Sequence, residues 1–129
     1  MGKRVAAVVL DQALNYVKNN CDLMVACNAE PTTYAEAFST FALADVAMVP
    51  GDFTLGAGIG SGVTPRRLVV SAKPGVLIDV SGTVNHVALL DTMGSVLLLV
   101  TTTAPTPITA NGNNKLNIPA WSEELSAPV

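Results

Sequence analysis

Charged residues are scarce in this chain. Asp, Glu, Lys and Arg make up 13% of its 129 residues, whereas soluble globular domains usually carry about 25%. A chain of this length forms one domain with a large surface relative to its volume, and this sequence has few polar side chains with which to cover that surface. We therefore expect part of the apolar surface to be buried against other protein chains, in an obligate homo-oligomer.

Long apolar runs and basic residues are also few. The longest unbroken apolar run, residues 5–10, is far shorter than the ~20 residues that a membrane-spanning helix needs, so no membrane partner is expected. With seven Lys and Arg and a net charge of −3, the sequence offers no basic patch for nucleic acid. The N-terminus begins like a secretory signal, but its apolar part stops at Asp11 without a small-residue cleavage site.

Cysteine and histidine are nearly missing. Cys21 and Cys27 are six positions apart, and within one strand this spacing places them on the same face but beyond disulfide reach. We expect both to be free, buried thiols that act as small apolar side chains, as suits a protein folded in a reducing cytoplasm. Together with the only histidine, His86, they make a poor zinc site, so no metal is expected.

His86 is also the only histidine that could serve a catalytic triad. It lies in an apolar segment with Ser81 and Asp91 each five positions away and Asp79 nearby, which leaves a Ser/His/Asp grouping to be considered. No serine has the Gly-x-Ser-x-Gly surroundings of a nucleophile elbow, and Ser61, the nearest case, lacks both outer glycines. A lone histidine in an apolar strand is more often a hydrogen-bonded structural residue. We predict no catalytic residue and no enzyme.

The glycine-rich stretch GAGIGSG, residues 56–62, resembles a phosphate-binding loop only in composition. Its glycines miss the spacing of the dinucleotide fingerprint, and no Gly-Lys-Ser/Thr follows them. The stretch is more typical of a tip between two strands. No cofactor is predicted.

The segment EPTTYAEA, residues 30–37, is the most distinctive in the chain. Pro31 restricts Glu30 to extended geometry, which ends a strand. Thr33 and Glu36 have the spacing of a capping box, in which the first caps a helix and the second reaches back to the cap amide. The catalytic alternative, a carboxylate pair of Glu30 and Glu36, has no second polar cluster beside it. The segment is therefore interpreted as structural.

The remaining pattern predicts an α+β fold. Apolar residues at helical spacing predict an N-terminal helix over residues 4–19. Val5, Val9, Ala13 and Val17 form one row of its apolar stripe, and Ala6, Leu10 and Leu14 lie beside them and complete the stripe. A first strand follows over residues 22–27. Residues 44–121 hold several short strand-like runs separated by turn signals, which favour a mainly antiparallel β-sandwich or barrel.

A family resemblance rests on three stretches: DQALNYVK at residues 11–18 before a Cys-bearing strand, EPTTYAEA at residues 30–37, and TVNHVALLD at residues 83–91. In this order they resemble a group of small virion proteins of tailed bacteriophages, over roughly residues 8–110. The resemblance implies a structural role in the virion, assembled in the host cytoplasm. Within that group a capsid decoration (cement) protein, binding the major capsid protein as a trimer, is the preferred role. A tail or head–tail junction component is the first alternative, and a small-ligand binding barrel or minor enzyme that uses His86 is the second.

We expect contacts with partners to come from the residues that the β-sandwich leaves exposed. The candidates are the strand before the glycine-rich tip, the tip itself and the C-terminal segment, through Phe53, Leu55, Ile59 and Trp121. Four prolines in residues 105–129 suit an extended arm lying over a neighbouring subunit. Large aromatic side chains anchor interfaces, but Trp121 can equally close the domain's own core, and both possibilities remain open.

Overall fold

The protein's structure, a computed structural model, describes residues 6–57 and 66–125. Within these residues it has one α-helix, α1 (Ala7–Asn20), a π-helical turn (Glu36–Thr40), a 3-10 turn (Pro50–Asp52) and nine strands. The strands are β1 (Leu23–Cys27), β2 (Ala42–Ala47), β3 (Phe53–Ala57), β4 (Arg66–Val70), β5 (Lys73–Leu77), β6 (Gly82–Asp91), β7 (Val96–Ile108), β8 (Lys115–Ile118) and β9 (Trp121–Leu125). The predicted class, an N-terminal helix with mainly antiparallel sheets, is confirmed.

The strands form three antiparallel sheets. The four-stranded sheet has the order β2-β1-β6-β7, the three-stranded sheet the order β3-β4-β9, and the two-stranded sheet pairs β5 with β8. The interior strand β1 pairs Val25 with Asp45 on one side and with Ala88 on the other. β7 is the last strand of its sheet and pairs only with β6 among the described strands.

The helix buries one side of the expected apolar stripe. Leu10, Leu14 and Val17 are buried, at the spacing of successive helical turns. Val9 and Ala13, which the sequence pattern placed in the same stripe, are exposed. The side with the leucines is buried because leucine removes more apolar area from water than alanine. The first residues of the predicted helix lie outside the described residues.

An ion pair ties the helix to the three-stranded sheet. The Arg66 guanidinium, at the start of β4, donates from Nε to Asp11 Oδ1 at 2.6 Å and from a second nitrogen to Oδ2 at 3.3 Å. Both side chains are partly buried, at 24% and 27% exposed. A two-point contact of this kind fixes the rotation of α1 about its axis.

Two apolar clusters lie on opposite faces of the four-stranded sheet. The larger one draws residues from all three sheets and from α1, and Met24, Leu68 and Leu89 are among its fully buried members. The smaller one, with Val25, Cys27, Ala37, Ala88 and Leu90, lies under the segment that carries EPTTYAEA. The four-stranded sheet is therefore covered on one face by the other two sheets and on the other face by one short segment.

The C-terminal region departs from the predicted arm. β7 runs on through Pro105 and Pro107 to Ile108, β8 pairs with β5, and β9 pairs with β4. The prolines are tolerated because β7 is an edge strand, where a missing N–H need not break a ladder. β8 and β9 are separated by Pro119 and Ala120. The strands within residues 105–125 thus belong to the domain's own sheets, and residues 126–129 lie outside the described residues.

Candidate functional site

The EPTTYAEA segment is held by its own side chains. The Glu36 N–H donates to Thr33 Oγ1 at 3.2 Å, as the capping prediction requires. The Glu36 carboxylate accepts from the N–H and the hydroxyl of Thr32, both at 2.8 Å, instead of from the cap residue's own amide. These hydrogen bonds from Thr32 lower the pKa of Glu36, because they favour the ionised carboxylate. Its two polar partners belong to the segment itself, which supports the structural interpretation.

An exposed aromatic pair follows the cap. The chain continues into the π-helical turn, where the Phe41 N–H donates to Glu36 O at 2.8 Å. The rings of Tyr34 and Phe38 stack with centroids 5.3 Å apart, and Phe38 is 49% exposed. Tyr34 packs against the smaller cluster, so the pair continues the apolar core out to the surface.

His86 has the hydrogen-bonded structural setting that the sequence predicted. Its Nδ1 pairs with Asn85 Oδ1 at 2.7 Å, and Asn85 Nδ2 donates to the backbone oxygen of Asn28 at 3.0 Å. On β6 it pairs across the sheet with Cys27 on β1 and Thr102 on β7. These hydrogen bonds connect Asn28, the residue after β1, to the neighbouring strand β6.

The other residues of the considered triad are engaged elsewhere. The Ser81 hydroxyl accepts from the Ala110 N–H at 2.8 Å, and the Asp91 carboxylate accepts from the Met93 and Gly94 amides, both at 3.1 Å. Five positions along a strand separate Asp91 from His86 by about 17 Å. Asp79 lies beside Asp45, whose pKa is raised by partial burial and by this neighbouring charge. The structure does not bring the triad together.

The predicted contact residues divide into three groups. Phe53 is 2% exposed and lies in the larger cluster, so it is a core residue of this domain and not the exposed contact residue that the sequence suggested. Leu55 and Trp121 are partly buried and pack against the same cluster. Ile59 lies outside the described residues, as does the glycine-rich tip from residue 58 onward. For Trp121 the structure favours the alternative in which it closes the domain's own core.

A shallow crevice opens where Trp121 meets β7. Thr101, Thr103 and Val87 form one wall, and Ile118, Pro119 and Trp121 form the other, around a volume of about 70 Å³. A neighbouring crevice of about 60 Å³ continues it toward Thr106 and Leu116. The indole Nε1 of Trp121 is buried and has no hydrogen-bond partner within residues 6–57 and 66–125. A space of this size holds a few waters, one of which can accept that hydrogen bond.

Residues 6–57 and 66–125 contain no group of three or more His, Cys, Asp or Glu side chains that could hold a metal ion. Among the helices described, none has the length and apolarity to cross a membrane.

The outer edge of β7 is a feature that the sequence interpretation missed. No described strand pairs with this edge, and Val96, at 37% exposed, begins a run in which Leu97 to Val100 are all only partly buried. A sequence signal was available, because no charged residue occurs from position 92 to position 114. Edge strands of monomeric proteins are commonly protected by charged side chains, and β7 has none.

Comparison with protein-family models, with curated proteins and with solved structures found no match.

Proposed function

We propose that this chain is a non-enzymatic structural protein of a tailed-bacteriophage virion, which decorates the capsid by binding the major capsid protein as part of a homo-oligomer. The observation that carries the proposal is the exposure of large apolar side chains on a surface with few charges. They are Val8, Val9, Tyr16, Phe38, Val49, Leu77, Val80, Met93 and Val96.

These side chains are distributed over several parts of the fold. Val8 on α1 is 61% exposed, Phe38 belongs to the aromatic pair, and Met93 at the β6–β7 turn is 94% exposed. Single exposed apolar residues are normal, whereas a larger apolar surface marks contact with other proteins. A subunit of a shell contacts neighbours on more than one side, which suits apolar residues on α1, on the π-helical turn and on the β6–β7 hairpin.

The assignment to a virion is supported by the sequence resemblance. Residues 30–37, its most distinctive stretch, cap the π-helical turn and cover the smaller cluster. Residues with this role stabilise the fold, and the resemblance in this stretch is therefore a likeness in structural residues. The decoration role follows from the class of small, β-rich, multimeric virion proteins that the sequence resembles.

Crevice size argues for assembly over ligand binding. The two crevices beside β7 have volumes of about 60 and 70 Å³. Sites for drug-sized ligands and cofactors usually occupy about 300–1,000 Å³. His86 lines neither of these two crevices.

The proposal is tested by counting copies of this chain in purified particles by quantitative mass spectrometry, with the major capsid protein as the internal reference. A decoration protein predicts a copy number of the same order as that of the major capsid protein. A number that fits a single ring would assign the chain to the tail or the head–tail junction. Particles from which the chain is missing would contradict any virion role. Particles made without this gene, to which purified chain is then added, provide the matched control.

A further inference from the structure

The strand β7 has an open edge that differs from the other sheet edges of the fold. It is thirteen residues long, pairs with β6 on one side, and has no strand on its other side within the described residues. In a strand, about half of the N–H and C=O groups point to each neighbour, so the open edge offers a row of unused donors and acceptors.

We propose that this edge is a self-association surface, on which β7 of one copy pairs antiparallel with β7 of a second copy about a twofold axis. The pairing joins two four-stranded sheets into one continuous eight-stranded sheet. It is an isologous contact, in which the same residues supply both sides. The inference concerns self-association alone and holds with or without the virion role.

The other edges are covered, short or charged. The Leu43 carbonyl at the outer edge of β2 accepts from the amides of Asp79 and Val80, at 2.9 and 3.0 Å. β3 is five residues long and packs against α1. β9 carries Glu123 and Glu124. β7 is the edge among the described strands that is long, uncharged and open.

The absence of charge favours a second copy as the occupant. Two copies of one strand carry the same charges, so a strand with charges of one sign repels its own copy, and like charges across a strand pair are destabilising. No charge lies between positions 92 and 114, so β7 avoids this repulsion along its whole length. A partner selected by charge complementarity would find nothing on this edge to recognise.

The prolines and the packing define the length of the paired segment. Pro105 and Pro107 have no N–H, which confines regular pairing to residues 96–104. Leu97 and Val100 pack beside the smaller cluster, whereas Leu98 and Leu99 pack beside the larger one, and all four are partly buried. A second strand at the edge covers apolar side chains on both faces at once. The smallest unit is thus a dimer, in contrast to the trimer expected from the resemblance.

The experiment compares oligomeric state by sedimentation equilibrium for the wild-type chain and two matched variants. Thr102→Lys places the residue that commonly protects edge strands at an exposed position inside the paired segment. Thr54→Lys makes the same change at an exposed position of β3. We expect a wild-type dimer at micromolar concentration, a dissociation constant at least about 100-fold higher for Thr102→Lys, and an unchanged value for Thr54→Lys.

A second measurement uses the wild-type chain alone, and it tests the proposal even if Thr102→Lys fails to fold. Hydrogen exchange of the amides in residues 96–104 should slow as the protein concentration rises through the dissociation constant, while exchange in β3 stays constant. The proposal is overturned by a wild-type monomer or trimer, by equal dissociation constants for the two variants, by dissociation of Thr54→Lys alone, or by exchange in residues 96–104 that does not depend on concentration.

Discussion

The carboxylate of Asp22 accepts two hydrogen bonds from Thr92, one from the backbone N–H at 2.9 Å and one from the hydroxyl at 2.5 Å. Asp22 lies just before β1, and Thr92 lies in the turn between β6 and β7. The backbone of Asp22 also donates to Leu90 O and accepts from the Met48 N–H, both at 3.0 Å. One residue thus connects the β6–β7 hairpin to the end of β2.

Removing this carboxylate is expected to destabilise the fold. Asp22→Ala should lower the free energy of unfolding by about 2–3 kcal/mol, because hydrogen bonds to charged groups contribute about 1.5–3 kcal/mol. Thr92→Val removes the hydroxyl but keeps the amide. Urea unfolding of the single and double variants should give a coupling energy of about 1 kcal/mol. Strictly additive effects of the two substitutions would show that the contact does not form in solution.

The Thr33 cap provides a second prediction. Thr33→Ala should lower the free energy of unfolding by about 1 kcal/mol, the usual scale for the loss of an N-cap. Self-association and particle binding should remain intact once the variant is folded, because the hydrogen bonds that Thr33 accepts, from the Glu36 and Ala37 amides, lie within its own segment. Thr54→Ala, an exposed threonine on β3, is the matched control. If Thr33→Ala abolishes particle binding with an unchanged melting temperature, the segment is a binding site instead.

Asp45 and Asp79 provide a pH-dependent prediction. Partial burial, followed by the nearby Asp79, raises the folded-state pKa of Asp45, so the folded chain binds a proton there more readily than the unfolded chain does. Ionised Asp45 therefore destabilises the fold near pH 7, and this cost disappears as the pH falls through the raised pKa. Asp45→Asn should raise stability at pH 7 by less than about 1 kcal/mol, since the residue is exposed and screened.

The measurement for Asp45→Asn is urea unfolding at several pH values, with the difference from the wild-type chain plotted against pH. That difference should be largest near pH 7 and shrink toward pH 4, in the range where carboxylates titrate. A difference that stays constant over this range would mean that the effect comes from packing and not from charge.

Both thiols are expected to be unreactive in the folded chain. Burial raises the pKa of Cys21 and of Cys27 to about 11, so that only about 0.1% of either is thiolate at pH 8. Ellman's reagent should titrate neither cysteine of the native protein on a timescale of minutes and both in denaturant. Rapid reaction of one thiol in the native state would place that cysteine at the surface.

The sequence indicated the fold class and the local structure better than it indicated which strands lie at the edges of the sheets. Alternating apolar residues and turn signals were enough for antiparallel strands, and the Thr33–Glu36 spacing was enough for the cap. The stripe on α1 was predicted too wide, because Val9 and Ala13 share its helical period and only packing against β3 and β4 selects the side that is buried. The course of β7 was missed for a similar reason, since Pro105 and Pro107 end a central strand but not an edge strand.

The candidate site was harder to predict than the elements. Whether Phe53 faces the core or a partner depends on how the three-stranded sheet packs, which no local pattern shows. Likewise, a strand becomes an edge only through the order of strands in the whole sheet, so β7 could not be recognised as one from its own residues. Its lack of charge was visible in the sequence, but became meaningful only once the strand order was known.

The central claim, that this chain coats a capsid shell, is tested most directly by imaging particles labelled through it. Gold-labelled antibody fragments against the folded chain would be bound to purified particles, with particles made without this gene as the control. We expect label distributed over the entire shell of the particles that carry the chain and none on the control particles. Label confined to one vertex or to the tail, or no label above the control, would contradict it.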